Sequence, residues 1–219
     1  MIHTSSHQSR TEPLDAVRLP PTNQPLILNL FALSGAAALI YQVCWQRLLF
    51  TAFGVDIESI TIIVSAFMLG LGVGALLGGV LADLYPQKIL QLFTLFEFSI
   101  GVFGIFSPLI ISWVGNHFIY AGPVATALAN FCLLLFPTIL MGATLPMLVI
   151  HMNKTFNHIG ISIGRLYLSN TVGASLGSLL VGFVLFNYFT LSQTIYLAAA
   201  INFAIATLAA LKLVTWAPA

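Results

Sequence analysis

The residue of this sequence with the clearest capacity for chemistry is Glu97, a carboxylic acid inside a long apolar stretch. It falls about nine residues into a predicted helix, roughly 14 Å along it at about 1.5 Å per residue, near the middle of a bilayer. An acid there is usually protonated, paired or in contact with a water-filled cavity. Two interpretations stay open: a proton-coupling or cation-binding group, or a neutral acid bonded to a neighbouring helix or paired with a basic residue.

A second candidate is the polar stripe of Gln42 and Gln46, which lie four residues apart and share one helix face. Buried polar side chains need hydrogen-bonding partners. One interpretation is therefore a substrate or ion-pair site in which the adjacent Arg47 reaches Glu97 or Glu58. In the alternative, Arg47 extends to the outer headgroups while Trp45 anchors the helix at the membrane interface.

Asparagine side chains add further amide groups inside the apolar stretches, at Asn130, Asn170 and Asn202. Such amides more often form hydrogen bonds between helices than contact a solute. Asn170 is nevertheless kept as a candidate. The predicted substrate-binding or coupling residues are Glu97, Gln42, Gln46, Arg47 and Asn170.

Catalytic and metal-binding patterns are missing from the sequence. It has no Ser-His-Asp arrangement, no phosphate-binding loop after a strand and no His/Cys spacing suited to zinc. The five histidines fall in predicted tails and loops, and His151 and His158 share one loop. We predict no catalytic residue, no bound metal and no cofactor.

These side chains must be positioned by membrane-spanning helices. The 219 residues are 59% hydrophobic and 6% charged, against roughly 25% charged in an average soluble domain, and the mean hydropathy is +1.01. A bilayer core about 30 Å thick needs about 20 apolar residues per helix, so the chain has room for six spans. A net charge of +1 gives no basic face for nucleic acid.

Each apolar run is predicted to be a helix, because backbone polar groups in lipid must bond internally. We expect an all-α fold with a disordered cytoplasmic tail over 1–24, a six-helix transmembrane domain over 25–214 and a cytoplasmic tail over 215–219. Pro137 and Pro146 predict a bend in the fourth span. The predicted spans are 26–52, 59–84, 88–114, 123–151, 161–188 and 192–214.

The orientation follows from the basic residues, because positive charges near span ends stay on the cytoplasmic side. An inward amino terminus places most of them in cytoplasmic segments: Arg10, Arg18, Lys88, Lys154, Arg165 and Lys212. Arg47 is the exception. We expect both termini in the cytoplasm and, as location, a bacterial inner (plasma) membrane.

Small residues recur four positions apart in the second and fifth spans. The pairs are Gly70/Gly74, Gly74/Gly78, Gly160/Gly164 and Gly173/Gly177. This spacing lets helix backbones approach closely in lipid. We predict that the second helix is central in the packing, and we favour contacts within one chain over a dimer interface.

The turn after the second span, GVLADLYPQK (79–88), resembles the second-to-third-helix loop of the major facilitator superfamily. In that family an acidic residue caps the cytoplasmic turn and basic residues follow, which implies structural-loop roles for Asp83 and Lys88. The sequence departs from the family at Pro86, where glycine is usual, and has a single basic residue at this turn.

A longer resemblance covers nearly all of residues 28–212. It is carried by LSGAAALIYQVCWQRLL (33–49), AFMLGLGVGALLGGVLAD (66–83), FPTILMGATLPML (136–148) and GRLYLSNTVGASLGSLLVGFVL (164–185). These segments resemble the membrane domain of fused, membrane-bound spermidine synthase-like proteins. In that family a cytoplasmic aminopropyltransferase-like domain using decarboxylated S-adenosylmethionine follows. No residues after Ala219 supply it here, so we expect no enzymatic activity from this chain.

The resemblance implies a six-helix bundle like half of a major facilitator transporter, with a 3+3 inverted repeat. Two functions stay open. The first is solute transport or binding, with a polyamine-like cation implied by resemblance only, by a homodimer or with a second membrane half. The second is a membrane anchor or regulatory subunit for a separately encoded spermidine synthase-like or other cytoplasmic enzyme.

Overall fold

The computed structural model describes residues 24–53, 56–156 and 158–216, and every structural statement below concerns these residues. They form long helices, with no β-strand among them. The helices are α1 (Gln24–Phe53), α2 (Asp56–Leu84), α3 (Ile89–Phe118), α4 (Pro123–Phe156), α5 (Ile159–Leu180) and α6 (Leu191–Trp216). Six segments are long and apolar enough to cross a membrane. The predicted all-α fold with six spans is confirmed.

Short connections join the helices. Between α2 and α3 the chain turns over 85–88, where the Lys88 amide donates a hydrogen bond to the Tyr85 carbonyl (2.9 Å). Gly122 precedes α4 with φ 91°, a conformation that glycine adopts without steric cost. Beyond its last residue α5 continues through a π-helical turn, Val181–Leu185, and a final α-helical turn, Phe186–Tyr188.

The predicted terminal tails fall largely outside the described residues. Of the tail expected over 1–24, the structure describes Gln24 alone, and this residue begins α1. Of the tail expected over 215–219, it describes the two residues that end α6 at Trp216.

The fourth span extends further than predicted. His151, expected in a loop, lies inside α4, which runs to Phe156. The reason is burial: His151 and Met152 are both buried, and Met152 packs in one apolar cluster with Phe93 and Leu166. The predicted polar loop over 151–158 is therefore wrong over 151–156, because packing continues the helix through polar sequence.

Three helix pairs provide most of the packing: α1 with α5, α2 with α4, and α3 with α6. Smaller contacts join α3 to α4, α1 to α6, α4 to α5, and α1 to α2 and α3. The prediction that α2 is central is wrong. It packs on α4 and to a lesser extent on α1, while Met68 and Leu76 on its other face are exposed. The helix lies at the edge of the bundle because its glycines fit one partner.

The glycines of α2 allow direct backbone contact with α4. A Cβ added to Gly74 would collide with the backbone of Ile139, and one added to Gly78 would collide with the backbone of Ala143. Such close approach is available only where a side chain is missing. The two helices therefore touch along their main chains rather than through interdigitated side chains.

The same contact recurs between α5 and α1. Gly173 lies against Ala32 and Gly177 lies against Ala36 in the same manner. Each contact between α2 and α4 has a counterpart between α5 and α1. Gly74 against Ile139 matches Gly173 against Ala32, and Gly78 against Ala143 matches Gly177 against Ala36. In the other direction, Gly142 against Leu71 matches Gly35 against Asn170. Because the spacing is identical in the two sets, α5 corresponds to α2 and α1 corresponds to α4.

This correspondence extends to the main helix pairs. Exchanging the first three helices with the last three turns the α1–α5 pair into α4–α2, turns α3–α4 into α6–α1, and leaves α3–α6 unchanged. Successive spans joined by short turns alternate in direction, so α1 and α4 run opposite ways and the repeat is inverted. Its sequence trace is the pattern LxxxVGAxLG, which occurs at 69–78 and again at 168–177.

Adding one methyl group at Gly78 tests the backbone contact. Gly78→Ala is expected to lower the free energy of unfolding by about 1–3 kcal/mol, because the backbone of Ala143 cannot move aside without separating α2 from α4. Gly79→Ala is the matched control, since a Cβ there meets no atom within 4 Å and alanine favours helix over glycine. Unfolding of the purified protein in detergent measures both. Equal effects of the two substitutions would contradict the contact.

Candidate functional site

Glu97 reaches the interior because it lies on the buried stripe of α3. The buried residues of this helix recur at spacings of three or four, which keeps them on one face. They include Phe93, Glu97, Ile100, Gly101, Gly104, Ser107 and Ile111. The side chain of Glu97 is 0% exposed, so the acid is fully enclosed by the bundle.

Two neighbouring helices hold the carboxyl group of Glu97. The Ser34 hydroxyl on α1 donates a hydrogen bond to Oε1 (2.6 Å), and Nδ2 of Asn202 on α6 donates one to Oε2 (2.6 Å). Both distances are short, as expected where the acceptor carries charge. We call Ser34, Glu97 and Asn202 the polar node. It ties α1, α3 and α6 together in the interior.

Two buried polar atoms near the node have no hydrogen-bond partner among the described residues: Asn202 Oδ1 and Tyr41 Oη. Tyr41 is 0% exposed, and its hydroxyl packs against Gly104, where a Cβ would collide with it. Leaving a buried polar atom unpaired costs about 1–3 kcal/mol, and folded proteins contain few of them. Both atoms are therefore buried with hydrogen-bonding capacity that the described residues do not use.

A second polar contact closes the seam between α1 and α3. Trp45 Nε1 donates a hydrogen bond to the Ser107 hydroxyl (2.8 Å), which donates in turn to the Gly104 carbonyl (2.8 Å). Trp45 is 0% exposed and stacks on Tyr41, with ring centroids 4.9 Å apart. The predicted interfacial anchor is therefore wrong for Trp45, because Ser107 satisfies its indole N–H inside the bundle.

Arg47 lies outside the node. It follows Ser34 by about thirteen residues, roughly 20 Å along α1 at about 1.5 Å per residue, and it is exposed. Its guanidinium carbon is 4.8 Å from the centroid of the Phe186 ring, a cation–π distance. The structure thus separates Arg47 from Glu97, and the hypothesis of an ion pair between them is contradicted.

Asn170 belongs to a different surface, an open groove of about 610 Å³ between α1 and α5. The lining of this α1/α5 groove includes Leu39, Asn170, Thr171, Ser175 and Ser178. Gln42 and Gln46 do not line it, but they follow Leu39 by three and seven residues, so they share its face of α1, and both are half-buried. The structure therefore separates the predicted site residues: Glu97 lies in the polar node, Asn170 in the groove, and Gln42, Gln46 and Arg47 in neither.

Asp83 and Lys88 flank the turn between α2 and α3, and both are exposed. The ammonium nitrogen of Lys88 is 6.0 Å from the ring centroid of Tyr85. The Lys88 carbonyl accepts a hydrogen bond from the Leu92 amide (2.9 Å), which helps to start α3. Their structural-loop role stays a prediction.

No group of three or more His, Cys, Asp or Glu side chains in the described ranges could hold a metal ion. His151 is buried in α4, whereas His158 is exposed just before α5. Cys44 is buried in α1 and Cys132 is exposed on α4. Nothing in this part of the chain therefore offers a metal a set of such ligands.

The sequence identifies Glu97 but not its partners. Ser34 is one small residue among several in LSGAAAL, and Asn202 looks the same in sequence as Asn130. In the structure their roles differ: Asn130 donates from Nδ2 to the Thr126 carbonyl of its own helix (3.0 Å), whereas Asn202 reaches another helix. A buried acid needs hydrogen-bond donors, so polar residues near the middle of other spans could have been predicted as partners of Glu97.

Comparison with known proteins gives one distant relative. The chain is 27% identical over 168 residues to a polyamine aminopropyltransferase of Oceanobacillus iheyensis. The aligned region covers 77% of this chain and 31% of that protein. The chain therefore spans about a third of the length of this relative. No family model matches the sequence, and no solved structure matches it.

Removing the hydroxyl of Ser107 tests the seam between α1 and α3. Ser107→Ala is expected to lower the free energy of unfolding by about 1–3 kcal/mol, because it leaves the buried Trp45 N–H unpaired. Ser99→Ala is the matched control on the same helix, since that hydroxyl bonds to the Leu95 carbonyl of its own helix (2.8 Å). Thermal unfolding, followed by tryptophan fluorescence, compares the two. Equal stability of both variants would show that the contact does not hold the seam.

Proposed function

We propose that this chain is a membrane domain that binds a solute and moves it across the bilayer, with Glu97 as the coupling group. The observation that carries the proposal is the complete burial of Glu97 in a node that joins three helices. Ionisable side chains inside membrane spans are costly and usually mark ion, proton or substrate pathways. A group that held helices together without titrating would not need a carboxylic acid.

The inverted repeat supports the same proposal. Many secondary transporters consist of two such repeats and bind solute near the bilayer midplane between them. We propose a bundle like half of a major facilitator transporter, in which the α1/α5 groove, with its hydroxyl and amide lining, faces the solute. The groove is open on one side, so a second copy of the chain or another membrane half has to close it.

For the solute we propose a polyamine-like cation. The support is the distant relative, which is named as a polyamine aminopropyltransferase. The proposed setting is a bacterial inner membrane with both termini in the cytoplasm, as the distribution of Lys and Arg predicts.

Substitution of Glu97 tests the coupling role. Glu97→Gln is expected to reduce uptake of radiolabelled spermidine into proteoliposomes by about tenfold or more, because it removes a charge whose hydrogen bonds are worth about 1.5–3 kcal/mol each. Glu58→Gln is the matched control, since Glu58 is exposed near the start of α2. Unchanged uptake by Glu97→Gln, or no uptake of any polyamine by the wild type, rejects the proposal.

A second candidate is a membrane anchor or regulatory subunit for a separately encoded aminopropyltransferase-like enzyme. The observation that favours it is that the relative is named as an enzyme, while this chain matches about a third of its length. The enzyme would bind the cytoplasmic turns, where Lys88 and His158 are exposed. His151 is no part of such a surface because it is buried.

Native mass spectrometry of the protein, purified from its own membrane in mild detergent, separates the two candidates. The anchor predicts a stoichiometric cytoplasmic enzyme, which Lys88→Ala with His158→Ala releases while Glu97→Gln retains it. Transport predicts instead a homodimer or a paired membrane half. Finding the chain alone, with uptake that depends on Glu97, would contradict the anchor.

A further inference from the structure

We propose that the polar node binds one proton and that the side-chain amide of Asn202 turns over as Glu97 gains or loses it. This inference deepens the proposed function by naming the proton as the coupling ion. Only the coupling role rests on that function, because proton binding by the node follows from its own geometry.

The charged form of Glu97 matches the hydrogen bonds in the structure. A carboxylate only accepts hydrogen bonds. Here Oε1 accepts from the Ser34 hydroxyl and Oε2 accepts from Nδ2 of Asn202. The atom left over in this state is Asn202 Oδ1, an acceptor that has no donor among the described residues.

The neutral form of Glu97 fits the same positions once the amide turns. A proton taken from water onto Oε2 makes a hydroxyl, which needs an acceptor. The two ends of the Asn202 amide are nearly equal in size, so a half-turn about its last side-chain bond places Oδ1 where Nδ2 was. The new O–H then donates to Oδ1, and Nδ2 becomes the unpaired atom. Each protonation state leaves one amide atom unpaired, and neither requires the helices to move.

The dimensions of the node favour a proton over a metal cation. Both hydrogen bonds to the carboxyl group measure 2.6 Å, and Glu97 is 0% exposed. A cation held by oxygens at about 2.3–2.6 Å needs several of them around it. It would have to displace both the Ser34 hydrogen and the Asn202 amide, whereas a proton needs no additional volume.

No competing charge faces the node from the described helices that pack on α3. Tyr41 is the titratable side chain that interacts with Glu97 from α1; Cys44 and Arg47 lie further along that helix. On α6, Lys212 is about ten residues from Asn202, roughly 15 Å at about 1.5 Å per residue. On α4, His151 lies beside Leu90, about seven residues or roughly 10 Å along α3 from Glu97, and Cys132 is exposed on the surface.

The charge of Glu97 therefore sets how firmly the node ties its helices. Hydrogen bonds to an ionised group are roughly twice as strong as those between neutral groups. Protonation weakens both the bond to Ser34 on α1 and the bond to Asn202 on α6, while the backbone contacts of α2 with α4 and of α5 with α1 stay unchanged. A single proton thus loosens α3 relative to α1 and α6.

Infrared difference spectroscopy tests the proposal on the full chain in lipid vesicles, with the asparagine side-chain carbonyls labelled with ¹³C. Acidifying the wild type should shift an asparagine carbonyl band at the pH at which Glu97 gives its own carboxylic-acid carbonyl band. Glu97→Gln should lose this component and the asparagine shift, while exposed acids such as Glu58 and Asp83 still give their bands. Asn202→Leu should keep the acid band and lose the asparagine shift, and the exposed control Glu58→Gln should keep both.

The wild-type spectra test the proposal even if a variant fails to fold. A wild type whose asparagine carbonyl bands do not shift at any pH at which the helices persist overturns the proposal. An asparagine shift that survives in folded Glu97→Gln also overturns it, because the shift then follows a proton elsewhere. The infrared experiment contains no solute, so it tests the proton site independently of transport. If both signals appear but the protein takes up no solute, the proton site stands and the transport proposal is rejected. If the protein takes up solute but the signals are missing, transport stands and the proton site is rejected.

Discussion

Direct contact between helix backbones sets the geometry of this bundle. Lipid supplies no hydrophobic force to bring spans together, so close packing and hydrogen bonds must do it. Gly74 and Gly78 place the main chain of α2 against α4, and Gly173 and Gly177 place α5 against α1. The α2/α4 and α5/α1 contacts set the positions of α1 and α4, and the remaining helices, α3 and α6, pack on them and on each other.

The polar node depends on that framework. Because α5 occupies one face of α1 through backbone contact, the opposite face is left for α3 and α6, and Ser34 lies on it. Gly104 then provides the space that the Tyr41 ring fills. Small residues thus have two roles in this protein. They allow two helix pairs to pack through their backbones, and Gly104 leaves space for the Tyr41 ring between α1 and α3.

The two candidate functions depend on different structural features of the bundle. A solute pathway uses the interior acid, the open α1/α5 groove and the inverted repeat, which gives a bundle two related halves that can move against each other. An anchor uses the exposed turns and needs only a stable bundle.

The sequence by itself determined the number of spans, the all-α class and the presence of an acid, Glu97, inside a span, because hydropathy and isolated charge are local properties. It also contained the repeated pattern LxxxVGAxLG, which becomes interpretable once the contacts give its register. Only the tertiary structure placed α2 at the edge, continued α4 through His151, buried Trp45 and joined Asn202 to Glu97. These outcomes depend on which helix faces meet, and the choice among several similar small or polar residues is made by packing between segments far apart in the chain.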